Sequence, residues 1–176
     1  MFSVGEAVVY RHHVCRIVSI REAYYEGRDY YELEAIFEKS LKLFVAIDEA
    51  KPPAMRSVMT ADEALALIDS VDSIDSIDGE ALAQGTDTPT LLDRRIREEY
   101  TRRLNTCEPE QLLPIMRFAR ERSKKRSEVG RNATATDKKY FELAENLLCN
   151  ELSLSLGIDR EAVPAFLQDR FEKATA

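Results

Sequence analysis

The spacing of apolar residues along this chain changes once, near residue 60. Before that point, short runs rich in Val, Ile, Tyr and Phe alternate with turn-forming residues. Residues 7–10, 14–20, 30–37 and 41–47 therefore read as β-strands. Gly5-Glu6, Glu26-Gly27-Arg28-Asp29 and Glu38-Lys39-Ser40 separate them, and partial alternation in 19–21 and 41–44 marks half-buried strands. Several short strands with tight connections predict a small barrel. Pro52-Pro53 ends the run, with a last short strand expected at 56–58.

Beyond residue 60 the period is helical. Thr60-Ala61-Asp62-Glu63 has the form of a capping box and predicts a helix to about Val71. Residues 72–78 repeat a triplet too briefly to form a structural repeat, and 79–90 read as a linker. Leu92, Ile96, Tyr100 and Leu104 then recur every four residues as the apolar stripe of a helix. A second helix is expected over about 108–126, with Leu112, Ile115, Met116 and Ala119 inward. Pro109 suits its first turn, whereas Pro114 predicts either a kink or a helix that starts there. A third helix is expected over 137–156, with Phe141, Ala144, Leu148 and Leu152 on one side and Gly157 as its stop. Asp159 is expected to cap a last helix to about Lys173. The fold class is α+β: an N-terminal β-barrel (1–58), an acidic helix and linker (59–89), then an all-α domain (90–176).

Charge sharpens this division. The 176 residues carry a net charge of −7. Residues 60–89 hold eight acidic side chains and no Lys or Arg, whereas residues 90–139 hold fourteen basic against eight acidic. The densest stretch, 117–126, contains Arg117, Arg120, Arg122, Lys124, Lys125 and Arg126 against Glu121. A basic face kept on an acidic chain points to a polyanionic partner for that face, with a solvated, ion-paired helix surface as the plain alternative. Glu98–Arg102 and Glu99–Arg103 are such pairs, whereas Arg94, Arg95 and Arg97 are expected to lack an acidic partner four residues on.

Catalytic and metal chemistry find no foothold, so the chain reads as a non-enzyme without cofactor or metal. His12-His13 would point to opposite faces of a strand. No phosphate loop, nucleophile elbow or Cys–His signature is present. Cys15, Cys107 and Cys149 are odd in number and far apart, which fits small buried hydrophobes in a reducing cytoplasm. The opening Met-Phe-Ser-Val-Gly-Glu has neither a basic nor an apolar leader segment, and no run is long enough to span a membrane.

Specific sequence meets this order of blocks. Val4-Gly5-Glu6-Ala7-Val8-Val9-Tyr10 resembles the opening of CarD-type RNA polymerase-binding transcription regulators, which share their first domain with the transcription-repair coupling factor. The similarity continues through Val14-Cys15-Arg16-Ile17, Asp29-Tyr30-Tyr31-Glu32-Leu33, Phe44-Val45-Ala46-Ile47-Asp48 and Met55-Arg56-Ser57-Val58-Met59-Thr60. It resumes at Thr134-Ala135-Thr136-Asp137-Lys138-Lys139-Tyr140, Ala144-Glu145-Asn146-Leu147 and Glu151-Leu152 with Leu156-Gly157. Two positions depart from the family pattern. Tyr10-Arg11-His12-His13-Val14 lacks the usual turn glycine, and Leu92-Asp93-Arg94-Arg95 stands where many members carry a Trp that wedges into the minor groove. Leu92 also continues the apolar stripe and is expected in the core.

The resemblance implies a Tudor-like, SH3-type barrel docked on the polymerase β subunit. It also implies basic helices that reach upstream promoter DNA near the bubble edge and modulate open-complex stability. The implied DNA-facing residues are Arg94, Arg95, Arg97 and Lys138, joined by Arg117, Arg120, Lys124 and Lys125 from the charge run, with phosphate positioning rather than base readout. The expected polymerase-facing edge is Leu41, Lys42, Leu43, Phe44 and Val45, a strand suited to β-augmentation. A cytoplasmic monomer associated with the nucleoid through polymerase is the expected setting. The alternative is an adaptor on polymerase that does not touch DNA.

Overall fold

The computed structural model describes residues 1–175, and side chains as far as Arg170. Five strands, β1 (Ala7–Tyr10), β2 (His13–Tyr25), β3 (Arg28–Ala35), β4 (Lys42–Ala46) and β5 (Met55–Ser57), form one antiparallel sheet in the order β4-β3-β2-β1-β5. The sheet is open, with β4 and β5 as its edges. Tight turns set the register. Glu26 and Gly27 link Tyr25 to Arg28 with φ of 50° and 71°, the left-handed pair that a two-residue hairpin needs. Arg11 takes φ 53° between β1 and β2, so an Arg fills a conformation glycine adopts more easily. β2 runs five residues past the expected end because its register shifts between Arg21 and Tyr25. Ala23 there has φ 47°, and its N–H is held by Asp29 at 2.9 Å. The shift breaks the alternation that a sequence reading depends on.

The sheet serves two cores. Val8, Cys15, Ile17, Tyr31, Leu33, Val45 and Met55 bury one face. The Tyr31 hydroxyl tethers the N-terminus to that face, accepting from Phe2 N–H at 3.1 Å and donating to Phe2 O at 3.0 Å. Val9 and Val14 project to the other face and join the helical core. Where no helix covers that second face, Glu32 is buried among polar partners. It accepts from Ser19 at 2.6 Å and from Arg21 at 2.8 Å, and these bonds hold its carboxyl below the usual range.

Six helices follow: α1 (Ala61–Asp69), α2 (Gly79–Ala83), α3 (Pro89–Leu104), α4 (Leu112–Glu128), α5 (Ala135–Leu156) and α6 (Val163–Thr175). The Thr60–Glu63 capping box starts α1, and Thr134 caps α5 by accepting from the Asp137 N–H. Gly157 ends α5 in the left-handed conformation, φ 64°. Three expectations need correction. The linker 79–90 contains α2, because Asp78 accepts from the Glu80 and Ala81 N–H groups. Pro114 produces no start of its own. A 3₁₀ turn over Pro109–Gln111 precedes α4, which puts Pro114 in the first turn, where its missing N–H has no intrahelical partner to lose. Asp159 precedes a 3₁₀ turn and makes no side-chain cap bond.

Sheet and helices are joined by a buried ion pair. Arg56 of β5 reaches both carboxylate oxygens of Glu151 on α5, at 2.5 and 2.8 Å, and also donates to Cys107 O. Glu151 is 0% exposed and accepts from the Met59 N–H at 2.9 Å as well. Ser155, one turn on, donates to Met59 O at 2.7 Å. A buried carboxylate needs such complete pairing to remain charged.

Candidate nucleic-acid interface

The basic residues divide into those the fold uses and those it leaves in solvent. Helix α3 uses its own. Arg94 donates to Glu98 at 2.9 Å, so the expectation that it lacks an acidic partner four residues on is corrected, whereas Arg97 has none there and donates to Asp93, four residues back, at 2.9 Å. The Arg94–Glu98 spacing of four residues could have been read from the sequence. Arg95 turns back to the end of α2, donating to Leu82 O at 3.2 Å and Gln84 O at 2.5 Å. Arg102 and Arg103 share Glu99. The face of α3 is thus laced with internal pairs.

Helix α4 is split along its axis. Arg117 donates to Val71 O and is half-buried. Arg122 reaches Asp137, which is 0% exposed, at 3.1 Å. Asp137 also accepts from the Tyr100 hydroxyl at 2.8 Å, and burial together with that carboxylate pushes the phenol pKa upward. Arg126 closes the α4–α5 turn by donating to Asn132 O at 2.7 Å. These three arginines build structure. Arg120, Lys124 and Lys125 are exposed, and Lys138 is exposed at the start of α5. Among the described residues none of these four forms an ion pair.

Arg120 and Lys138 come together because α4 and α5 pack side by side, whereas Lys125 lies about 140° around α4 from Arg120. Arg120 and Lys124 are one turn apart on α4. Arg120 lies over the Phe141 ring of α5, 5.5 Å from its centroid. A shallow groove of about 230 Å³ runs between the helices, lined by Ala119, Arg120, Ser123, Asp137, Lys138, Phe141 and Glu142. Phe141 and Ser123 were not expected here. Periodicity places Phe141 on the inward side of α5, and it is half-buried, packed on the helical core while also lining the groove. Leu92 is half-buried and packs on the helical core with Ile96 and Tyr100.

In the sheet, the expected edge is an edge strand. Leu41 O accepts from Ala35 N–H at 3.0 Å, and antiparallel pairs alternate, so Lys42, Phe44 and Ala46 turn their backbone groups toward the open side. Val45 is buried beneath, Leu41 and Leu43 are half-buried, and Lys42 pairs with Glu34 at 3.2 Å. Phe44 is 37% exposed and stacks on Tyr24, with ring centroids 4.9 Å apart and planes 12° apart. An open strand edge flanked by exposed aromatic rings is a surface on which an extended segment can add.

Among the described residues, no three metal-ligating side chains converge, and no helix is long and apolar enough to cross a membrane. No protein-family model matches the chain, and no curated protein matches it.

Proposed function

We propose that the chain is a non-enzymatic transcription regulator that docks on the RNA polymerase β subunit through its sheet and holds upstream promoter DNA with its helices. In this reading the sheet is a Tudor-like docking module, and the helical surface modulates the stability of the open complex. The observation that carries the reading is the α4–α5 groove, which brings exposed Arg120 and Lys138 together with no ion-pair partner among the described residues. Lys124 stands one turn from Arg120 on α4, and Lys125 is exposed farther round the same helix. Such a face attracts phosphates by charge and reads little sequence. The α3 arginines contribute only if DNA displaces Glu98 and Asp93 from them. The adaptor alternative draws its support from those same α3 pairs, which make that helix an ordinary solvated surface.

Docking through β4 is tested with the full chain. The Phe44 N–H points to the open edge, so Phe44→Pro removes a donor the native sheet does not use, together with the ring that stacks on Tyr24. Retention on immobilised polymerase β subunit is expected to weaken roughly five- to tenfold, as for the loss of one interface hydrogen bond. Unchanged retention of the variant would place docking elsewhere, and no retention of the wild type would refute the polymerase reading.

A further inference from the structure

The α4–α5 groove has a composition that phosphate binding alone does not need. A surface that only neutralises phosphates requires cations and nothing else. Here a half-buried ring, Phe141, lines the groove with the Arg120 guanidinium 5.5 Å over its centroid, so an aromatic ring and a cation stand together there. Aromatic rings and guanidinium planes are the groups on which unpaired bases stack. Lys138 lines the groove itself, Lys124 stands one turn along α4 from Arg120, and Glu142 lies on α5 one turn beyond Lys138. A nucleotide would set its base against Arg120 and Phe141 and its phosphate toward Lys124 and Lys138; Asp137 is already held by Arg122 and Tyr100, whereas Glu142 opposes the phosphate. At about 230 Å³ the groove has room for one base.

We infer that the α4–α5 groove binds a single unpaired nucleotide, so that the chain prefers single-stranded or forked DNA to duplex. This rests on the DNA-binding reading above and adds the form of DNA that the site takes. The base is held by stacking, so every base is accepted, and the preference follows strand state rather than sequence.

The test is fluorescence anisotropy of the full chain with three labelled DNAs: a single strand, its duplex, and a duplex with a single-stranded overhang. The wild type is expected to bind the two unpaired forms at least fivefold more tightly than the duplex, the lower end of what one stacked base contributes. Phe141→Leu keeps an apolar side chain on the core and removes the ring, and should bring the three affinities within about twofold while leaving duplex binding intact. Arg120→Met alters only an exposed side chain, so it asks the same question without risk to the fold, and should also reduce the preference. Equal wild-type affinity for all three DNAs would overturn the inference and leave duplex binding standing. So would a preference that survives both substitutions. Wild-type failure to bind any of the DNAs would overturn the DNA-binding reading itself.

Discussion

Replacing Glu151 by alanine should destabilise the folded chain by about 3–5 kcal/mol, the range for removing one member of a buried ion pair. The carboxylate is 0% exposed and accepts from Arg56 and from the Met59 N–H. Its loss strands a guanidinium whose side chain is 17% exposed and leaves a buried amide without a partner. The stranded cation dominates the effect, and a control isolates it. Arg56→Met with Glu151→Leu removes both charges and keeps the volume, and such replacements are often neutral or stabilising. Urea denaturation of the three proteins decides the matter. An alanine variant within about 1 kcal/mol of the wild type would show that solvent reaches the pair. Because Val9, Val14 and Arg56 belong to the strand block but pack or pair with the helices, sheet and helices should unfold in one transition in the wild type.

Neutralising Lys124, Lys125 and Lys138 together should flatten the salt dependence of DNA binding by up to about 2.7 in log–log slope, or roughly 0.9 for each phosphate that a lysine no longer neutralises. Between about 50 and 200 mM salt the wild type should therefore lose roughly 40-fold more affinity than the variant. All three lysines are exposed and, among the described residues, outside any ion pair, so Lys→Gln should leave thermal stability nearly unchanged. The comparison with α3 makes the result specific. Arg94 and Arg97 carry the same charge but are held by Glu98 and Asp93, so neutralising those two should change the slope by much less. An unchanged slope in the triple-lysine variant, or a larger change from the α3 pair, would move the phosphate-binding face to α3.

What the sequence disclosed followed the range of the forces involved. The strands of the sheet, the capping box at Thr60 and the stop at Gly157 are set by residues within a few positions of one another, and all were legible. Helix α2 rests on the same kind of local signal, since Asp78 precedes it, but the Gly- and Thr-rich composition around it obscured the cap. The end of β2 was not legible, because a shifted register with left-handed Ala23 leaves no alternation to follow. The buried carboxylates were beyond reach for another reason. Glu151 and Asp137 look like helix-surface acids until the fold brings in Arg56, 95 residues away, and Tyr100, 37 residues away. The candidate site followed the same division. The basic run was plain, but separating structural Arg117 and Arg122 from exposed Lys124 and Lys125 required knowing which side of α4 faces Val71 and Asp137.

The central claim is that one chain holds polymerase with its sheet and promoter DNA with its helices, and a linkage measurement tests it most directly. The affinity of the full chain for fork-junction DNA is measured with and without saturating RNA polymerase. Two attachments on one rigid chain raise the effective local concentration of each site for its partner. Polymerase is therefore expected to tighten the apparent affinity for the fork by about a hundredfold or more, and the Lys124, Lys125 and Lys138 triple variant should lose most of that gain. An affinity for the fork that polymerase leaves unchanged would contradict the account.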